Sequence, residues 1–187
     1  MNRISKILAA CLLASAANFA IASSDLVLSP SAGSVLVGDS FDISVQGRDF
    51  IDILIGGGFD LEFDASLLQL DAVTINVTRW EFEPKTGTTD NIGGRLSDIS
   101  FATFRPGAAV DFDAAVLRFT AKAVGNAFLT LLPSDDFPFA NDAADVVPVN
   151  FGRGTVEITA IPLPAGVVLM LSCLGTLAVR RRGVRKS

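Results

Sequence analysis

Apolar and polar residues alternate through the middle of the chain. Phe41, Ile43 and Val45 interleave with Asp42, Ser44 and Gln46, and Phe59, Leu61 and Phe63 interleave with Asp60, Glu62 and Asp64. A period of two sends one set toward a core and the other toward water, as in an antiparallel strand with one solvated face. The same pattern predicts strands over 26–28, 68–77, 95–104, 115–123, 127–132 and 149–158. Glycine- and proline-rich stretches separate them: 30–38, Gly56-Gly57-Gly58, 84–94, Pro106-Gly107, Gly125-Asn126 and 133–148. Eight or nine short strands at this spacing predict an all-β sandwich in a single domain. The one helical turn expected is 64–68, with Asp64 as its cap.

The two ends break this pattern. Residues 1–22 have the layout of a secretory signal peptide: Arg3 and Lys6, an apolar run, then Ala20-Ile21-Ala22, so that a mature chain would begin at Ser23. A rival reading takes Leu8-Ala9-Ala10-Cys11 as a lipobox, but the stretch between Lys6 and Cys11 is too short for an apolar core segment. At the far end Ile161-Pro162-Leu163-Pro164-Ala165 precedes an apolar run and then Arg180-Arg181-Arg182. A helix over 165–179 would be about 22 Å long, against a hydrocarbon core of about 30 Å, so it spans only marginally. The arginines would hold that end in the cytoplasm and leave everything before Pro162 translocated. An ordinary C-terminal membrane anchor is the alternative.

Charge sharpens the division. All twenty acidic residues lie between Asp25 and Glu157, and of the fifteen Lys and Arg only eight share that stretch, a net charge of −12 for the body. Such a body repels a phosphate backbone, which argues against nucleic acid as a partner. There is no His, so serine triads, HExxH zinc sites and Cys–His nucleophiles are excluded. Both cysteines, Cys11 and Cys173, fall in the terminal segments, leaving the body without a disulfide framework. Its length, roughly 138 residues, is enough to bury a core without one.

Two families resemble parts of this chain. The segment from Ile161 onward is similar to a PEP-CTERM sorting signal of the V-P-L-P-A subtype, with Ile161 replacing Val. That resemblance implies an exported bacterial protein, anchored transiently through its short C-terminal hydrophobic helix, processed by a membrane exosortase, and carried to the cell surface or extracellular matrix. In the body, 37–45 resembles the early strand of cohesin domains. The run 58–68, where a strand ends at Asp64 and turns into Leu67-Leu68, and the run 115–123 followed by Gly125 resemble later cohesin strands. This resemblance spans most of 23–158 and implies a jelly-roll sandwich of about nine strands. Cohesins bind dockerins through one sheet face, so a dockerin-like module is one partner it implies, although no contact residue is matched in this sequence.

Several clusters invite chemistry. Asp135, Asp136, Asn141, Asp142 and Asp145 place five oxygen-bearing side chains in one loop, which would suit calcium, but Pro138 and two Phe interrupt it and a solvated acidic loop fits as well. Asp60, Glu62 and Asp64, with Asp111 and Asp113, offer the paired carboxylates of glycoside hydrolysis; a water-facing strand gives the same spacing without catalysis. Trp80 and Phe82 would make an aromatic platform for sugar rings, while a lone Trp in a sandwich serves equally as core. Gly56-Gly57-Gly58 reads as a turn or bulge before the Phe59 strand, not as a phosphate cradle. Asn76-Val77-Thr78 is formally a glycosylation acceptor. The expectation is an exported, non-catalytic binding or structural protein with no obligatory cofactor. Its alternatives are an exopolysaccharide-binding module and a dockerin-binding cohesin.

Overall fold

A computed structural model of the chain describes residues 24–108 and 111–162. The signal segment with Ala20, Ala22 and Ser23, and the tail from Leu163 through Pro164, Ala165 and Arg180, Arg181 and Arg182, lie outside the described residues.

Twelve strands form two packed sheets: β1 (Ser24–Ser29), β2 (Ala32–Leu36), β3 (Ser40–Arg48), β4 (Ile53–Phe63), β5 (Leu68–Ile75), β6 (Phe82–Asp90), β7 (Arg95–Ala108), β8 (Phe112–Ala121), β9 (Gly125–Pro133), β10 (Ala140–Asn141), β11 (Val149–Phe151) and β12 (Arg153–Thr159). One sheet has the order β11-β1-β3-β8-β5; the other runs β2-β12-β9-β4-β7-β6, with β10 added on β4. The all-β sandwich is the architecture expected. The strand count rises because both ends of the domain cross between sheets and because β6 and β10 form in stretches expected as breaks. The first strand divides at Pro30 and Ser31 into β1 and β2, and the last divides at Gly152 into β11 and β12. The halves run side by side in parallel, Ser24 opposite Val149 and Thr159 opposite Leu36.

Alternation places the core as the sequence predicts. Ile43 and Val45 on β3, Leu117 and Phe119 on β8, and Leu26 and Leu28 on β1 are buried against Phe59, Leu61 and Phe63 on β4, Leu129 and Leu131 on β9, and Val156 and Ile158 on β12. At roughly 25 cal/mol per Å² of apolar surface removed from water, such a continuous interior dominates the favourable side of folding. The turn at 64–68 forms as expected, with Asp64 Oδ1 accepting the Ser66 N–H at 3.0 Å and Asp64 O accepting the Leu68 N–H at 2.8 Å.

Several expected breakers lie inside strands instead: 32–36 of the 30–38 stretch form β2 and Gly125-Asn126 opens β9. Pro84 falls in β6, an edge strand, within a bulge between the pairs Phe82↔Ala102 and Lys85↔Ser100. Edges and bulges are where a sheet tolerates a residue without an N–H. Pro106 falls in β7, where residues 103–106 intervene between the pairs Gly56↔Ala102 and Leu54↔Gly107. The glycine triplet is the middle of β4 itself.

Those glycines are required by contacts with the segment after β9. A Cβ on Gly57 would stand 2.5 Å from the Phe139 ring, and one on Gly58 would stand 2.3 Å from the Ile99 carbonyl oxygen and 2.7 Å from Phe137 Cβ. The loop expected to be a solvated acidic stretch thus packs its own aromatic residues onto bare β4 backbone, with Phe139 and Val147 entering the core.

Candidate functional site

The outer face of the five-stranded sheet is a lattice of side-chain hydrogen bonds. Arg118 on β8 grips Asp42 on β3 with two bonds, Nε to Oδ1 at 2.8 Å and Nη2 to Oδ2 at 2.9 Å. The Ser40 and Thr120 hydroxyls share a bond at 3.0 Å, and Thr120 donates onward to Asp71 on β5 at 2.6 Å. Farther along, Gln46 donates to Asp113 at 2.7 Å, and Arg48 bridges Gln46 and Asp111 at 2.6 and 2.7 Å. Asn150 donates to Asp25 on β1 at 2.9 Å. Cross-strand register puts these partners opposite one another: Asp42 faces Arg118 and Gln46 faces Asp113. Asp25, Asp42, Asp71, Asp111 and Asp113 against Arg48 and Arg118 leave this flat face acidic. The Arg118 guanidinium, chiefly through its hydrogen bonds, holds the Asp42 carboxyl below the ordinary carboxylate range.

On the other sheet a groove of about 330 Å³ lies over β4, β6 and β7. Its walls include Phe82, Lys85, Phe137 and Pro138, with Gly56 and Gly57 on its floor and Asp136 and Glu83 also lining it. The Lys85 ammonium sits 4.9 Å from the Phe137 ring centroid. Phe82 is 38% exposed and packs against Phe104, itself 72% exposed, with ring centroids 4.1 Å apart.

Trp80 is not part of that surface. It is fully buried, 4.8 Å from Phe101 and 5.2 Å from Phe112 between ring centroids, and its indole N–H donates to the Asp113 carbonyl at 3.3 Å. With Phe50, Phe101, Phe112 and Phe139 it forms an aromatic plug at one end of the core. The sequence pair therefore separates: Trp80 belongs to the core and Phe82 to the groove, where Phe137 in its lining and Phe104 packed on Phe82 take the place expected of Trp80. Phe104 and Phe137 carried no signal, because they become neighbours of Phe82 only through strand pairing and loop packing.

Beside Phe82, a polar cleft of about 530 Å³ is lined by Val77, Thr78, Arg79, Glu81 and Arg105. Arg79 lays its guanidinium over Trp80 at 4.8 Å and Phe112 at 5.4 Å. Its Nε is buried without a hydrogen-bond partner, and burial lowers the guanidinium pKa from its ordinary value. Glu81 accepts from the Thr103 hydroxyl at 2.8 Å and the Phe104 N–H at 3.3 Å. The Thr103 bond is the first cause holding Glu81 below the ordinary carboxylate range, with the Arg105 charge contributing least.

Asp60 has a structural role. Asp60 is buried on the outer side of β4, accepting from Arg95 Nη2 at 2.8 Å and from the Asp98 N–H at 3.0 Å. Asp98 is the positive-φ residue of a bulge between the pairs Phe59↔Ile99 and Leu61↔Leu96, so Asp60 holds that bulge closed and is not the water-facing residue expected. In the proposed calcium loop Asn141 Oδ1 accepts from the Ala143 and Asp145 N–H groups at 3.0 and 2.8 Å, closing a turn. Asp135, Asp136, Asp142 and Asp145 are exposed, and among the described residues no three carboxylate, Cys or His side chains converge as a metal site. Ile161 and Pro162 follow β12 and are exposed.

No protein-family model matches the chain, and no curated protein sequence does. Its fold is similar to solved cohesins. One is the sixth cohesin of scaffoldin B from Acetivibrio cellulolyticus, in complex with the Cel5 dockerin, at TM-score 0.57 and 16% identity over 73% of this chain and 99% of that one. A type I cohesin–dockerin complex from Clostridium thermocellum gives 0.58 and 11% over 73% and 99%. The cohesin module of a Clostridium perfringens family 33 glycoside hydrolase gives 0.58 and 15% over 74% and 97%. The body is thus a cohesin-like jelly-roll sandwich. Identities this low establish the fold and leave the partner to be argued from the surface.

Proposed function

We propose that this protein is an exported, non-catalytic binding module, displayed at the cell surface by its terminal segments, whose five-stranded face docks a protein partner of the dockerin kind. The observation that carries the reading is the set of side-chain hydrogen bonds that link β5, β8 and β3 on this face, with a separate Asn150–Asp25 bond between β11 and β1. Side chains fixed in advance by one another lose little freedom when a partner covers them, which favours recognition by a flat surface. The acidity of the face selects a partner with basic residues opposite it and sets a salt-sensitive association rate. Solved cohesins of this fold are found in complex with dockerins, which supports the same class of partner here.

Titration calorimetry against dockerin-bearing proteins of the same secretome tests this reading. Binding that is lost in the double variant Asp42→Lys/Asp71→Lys, with the fold intact by circular dichroism, is expected. Absence of binding to every such protein overturns it.

Export and sorting rest on Arg3, Lys6 and the Ala20-Ile21-Ala22 pattern, and on Ile161-Pro162-Leu163-Pro164-Ala165 with Arg180-Arg181-Arg182. An exosortase-type enzyme would process the tail, and membrane contact would be confined to that segment. A second reading, an exopolysaccharide-binding module, is favoured by the groove at Phe82. It is sized and lined for a sugar ring, with apolar walls for stacking and Lys85, Glu83 and Asp136 for hydroxyl groups.

A further inference from the structure

Among the described residues three of the six arginines of this acidic body stand in ion pairs, and Arg79, Arg105 and Arg153 do not. Arg48 pairs with Asp111 at 2.7 Å, Arg95 with Asp60 at 2.8 Å and Arg118 with Asp42 at 2.8 Å. Arg79 and Arg105 line one cleft together, and among the described residues neither has a carboxylate within 4.0 Å. The one acid in the cleft, Glu81, is committed to the Thr103 hydroxyl and the Phe104 N–H. Two guanidinium groups without an ion-pair partner, facing one carboxylate that Arg105 touches only weakly by charge, give the cleft a net positive lining in a chain whose body carries 20 acids against 8 bases. The planar guanidinium fork matches a carboxylate with two parallel hydrogen bonds.

We propose that the Arg79–Arg105 cleft is a carboxylate subsite for an acidic sugar, a uronate unit of a polysaccharide whose neighbouring ring lies on Phe82 and Phe104. The proposal rests on the polysaccharide reading of the groove at Phe82 and names the class of sugar. Glu81 of the cleft and Phe82 of the groove are consecutive residues, and Phe104 both packs on Phe82 and donates its N–H to Glu81. Aromatic surface and positive cleft are therefore continuous, so one oligomer reaches both. An acidic peptide would also satisfy the arginines, but it would leave two exposed phenyl rings without the flat apolar partner that a sugar ring supplies. Arg79 is held in place by its stacking on Trp80 and Phe112, so it is oriented before any ligand arrives.

The test is calorimetric titration of the full-length protein with tri-galacturonate and with its methyl ester, which keeps the rings and removes the charge. Work at about 0.15 M salt, where the Debye length is about 8 Å, screens repulsion by the rest of the body. The free acid is expected to bind about tenfold or more tightly than the ester, the scale of hydrogen bonds to charged groups. Arg105→Gln, an exposed change, should abolish that preference and leave ester binding unchanged, whereas Phe82→Ala should weaken both ligands. Equal affinity for acid and ester overturns the subsite while leaving the polysaccharide reading standing; binding of neither overturns both. A preference unchanged in Arg105→Gln and in Arg79→Lys, or tighter binding of oligo-glutamate than of the uronate, also overturns it.

Discussion

Trp80 and Asp60 each hold together parts of the chain distant in sequence. Trp80 closes one end of the core, and its N–H reaches the Asp113 carbonyl on β8. Trp80→Ala is expected to destabilise the protein by about 3–5 kcal/mol through the cavity it leaves, read from the midpoint of urea unfolding. Asp60→Ala should cost about 1–3 kcal/mol, because the Asp98 N–H at the bulge and the Arg95 guanidinium both lose their acceptor. Asp60→Asn keeps an oxygen for the Asp98 N–H and should cost less; an equal loss for both variants would show that the bulge does not depend on that bond. The outward direction of Asp60 was legible from alternation on β4. Its burial was not, because Arg95 covers it from a strand that sequence proximity does not identify. Trp80 was ambiguous for a related reason: composition gives a single Trp, and only the packing of Phe101, Phe112 and Arg79 around it decides its place.

At the scale of elements, β4 and the segment after β9 form one unit. Gly57 and Gly58 leave the room into which Phe139 and Phe137 fit, so a larger residue there displaces the segment. Gly58→Ala is expected to lose about 1–3 kcal/mol and to exceed the effect of Gly57→Ala. The new Cβ at 58 meets the Ile99 carbonyl, part of the sheet backbone, whereas at 57 its nearest contacts are side-chain atoms of Phe139. Comparison of the two melting temperatures checks the order. Strands with clean alternation, β3, β8 and β9, were legible in the sequence. The glycine triplet and the stretches holding Pro84 and Pro106 were misread as breaks because their tolerance comes from neighbours: an edge position and bulges on β6 and β7, and loop packing on β4. Asn91 shows the same limit. Its side chain pairs with both the N–H and the carbonyl of Leu70, at 2.8 and 3.0 Å, tying the β6–β7 hairpin to an edge strand of the other sheet. Nothing at 91 in the sequence points to residue 70.

For the molecule as a whole, charge sets the response to pH. Asp42, Glu81 and Asp90 are all held below the ordinary carboxylate range, by Arg118, by Thr103 and by the Gly93 N–H respectively. Each binds a proton less readily folded than unfolded, so its contribution is complete above the unfolded value of about 3.9–4.3 and is lost as pH falls through the lower folded value. With no His to titrate, the melting temperature should be nearly flat from about pH 5 to 8 and fall below about pH 4. Asp42→Asn should shallow that acid limb slightly, since an exposed pair contributes little. Removal of residues 161–187 is expected to shift the protein between membrane and extracellular fractions without changing the melting temperature of the body; identical fractionation would argue against a sorting role. Intact mass of the protein from its native envelope tests whether the chain is cut after Ala22 and within the tail, as the proposed export and sorting predict.

The parallel pairing of β1 with β11 and of β2 with β12 puts Ser24 and Thr159 at opposite ends of the same pair of ladders. Tension between the start of the domain and a tether beyond Thr159 therefore runs along the strands, and rupture requires many hydrogen bonds to slide at once instead of opening one after another. A domain loaded between its two ends is mechanically clamped along the strands, and single-molecule pulling between Ser24 and Thr159 should need more force than pulling across the sheets.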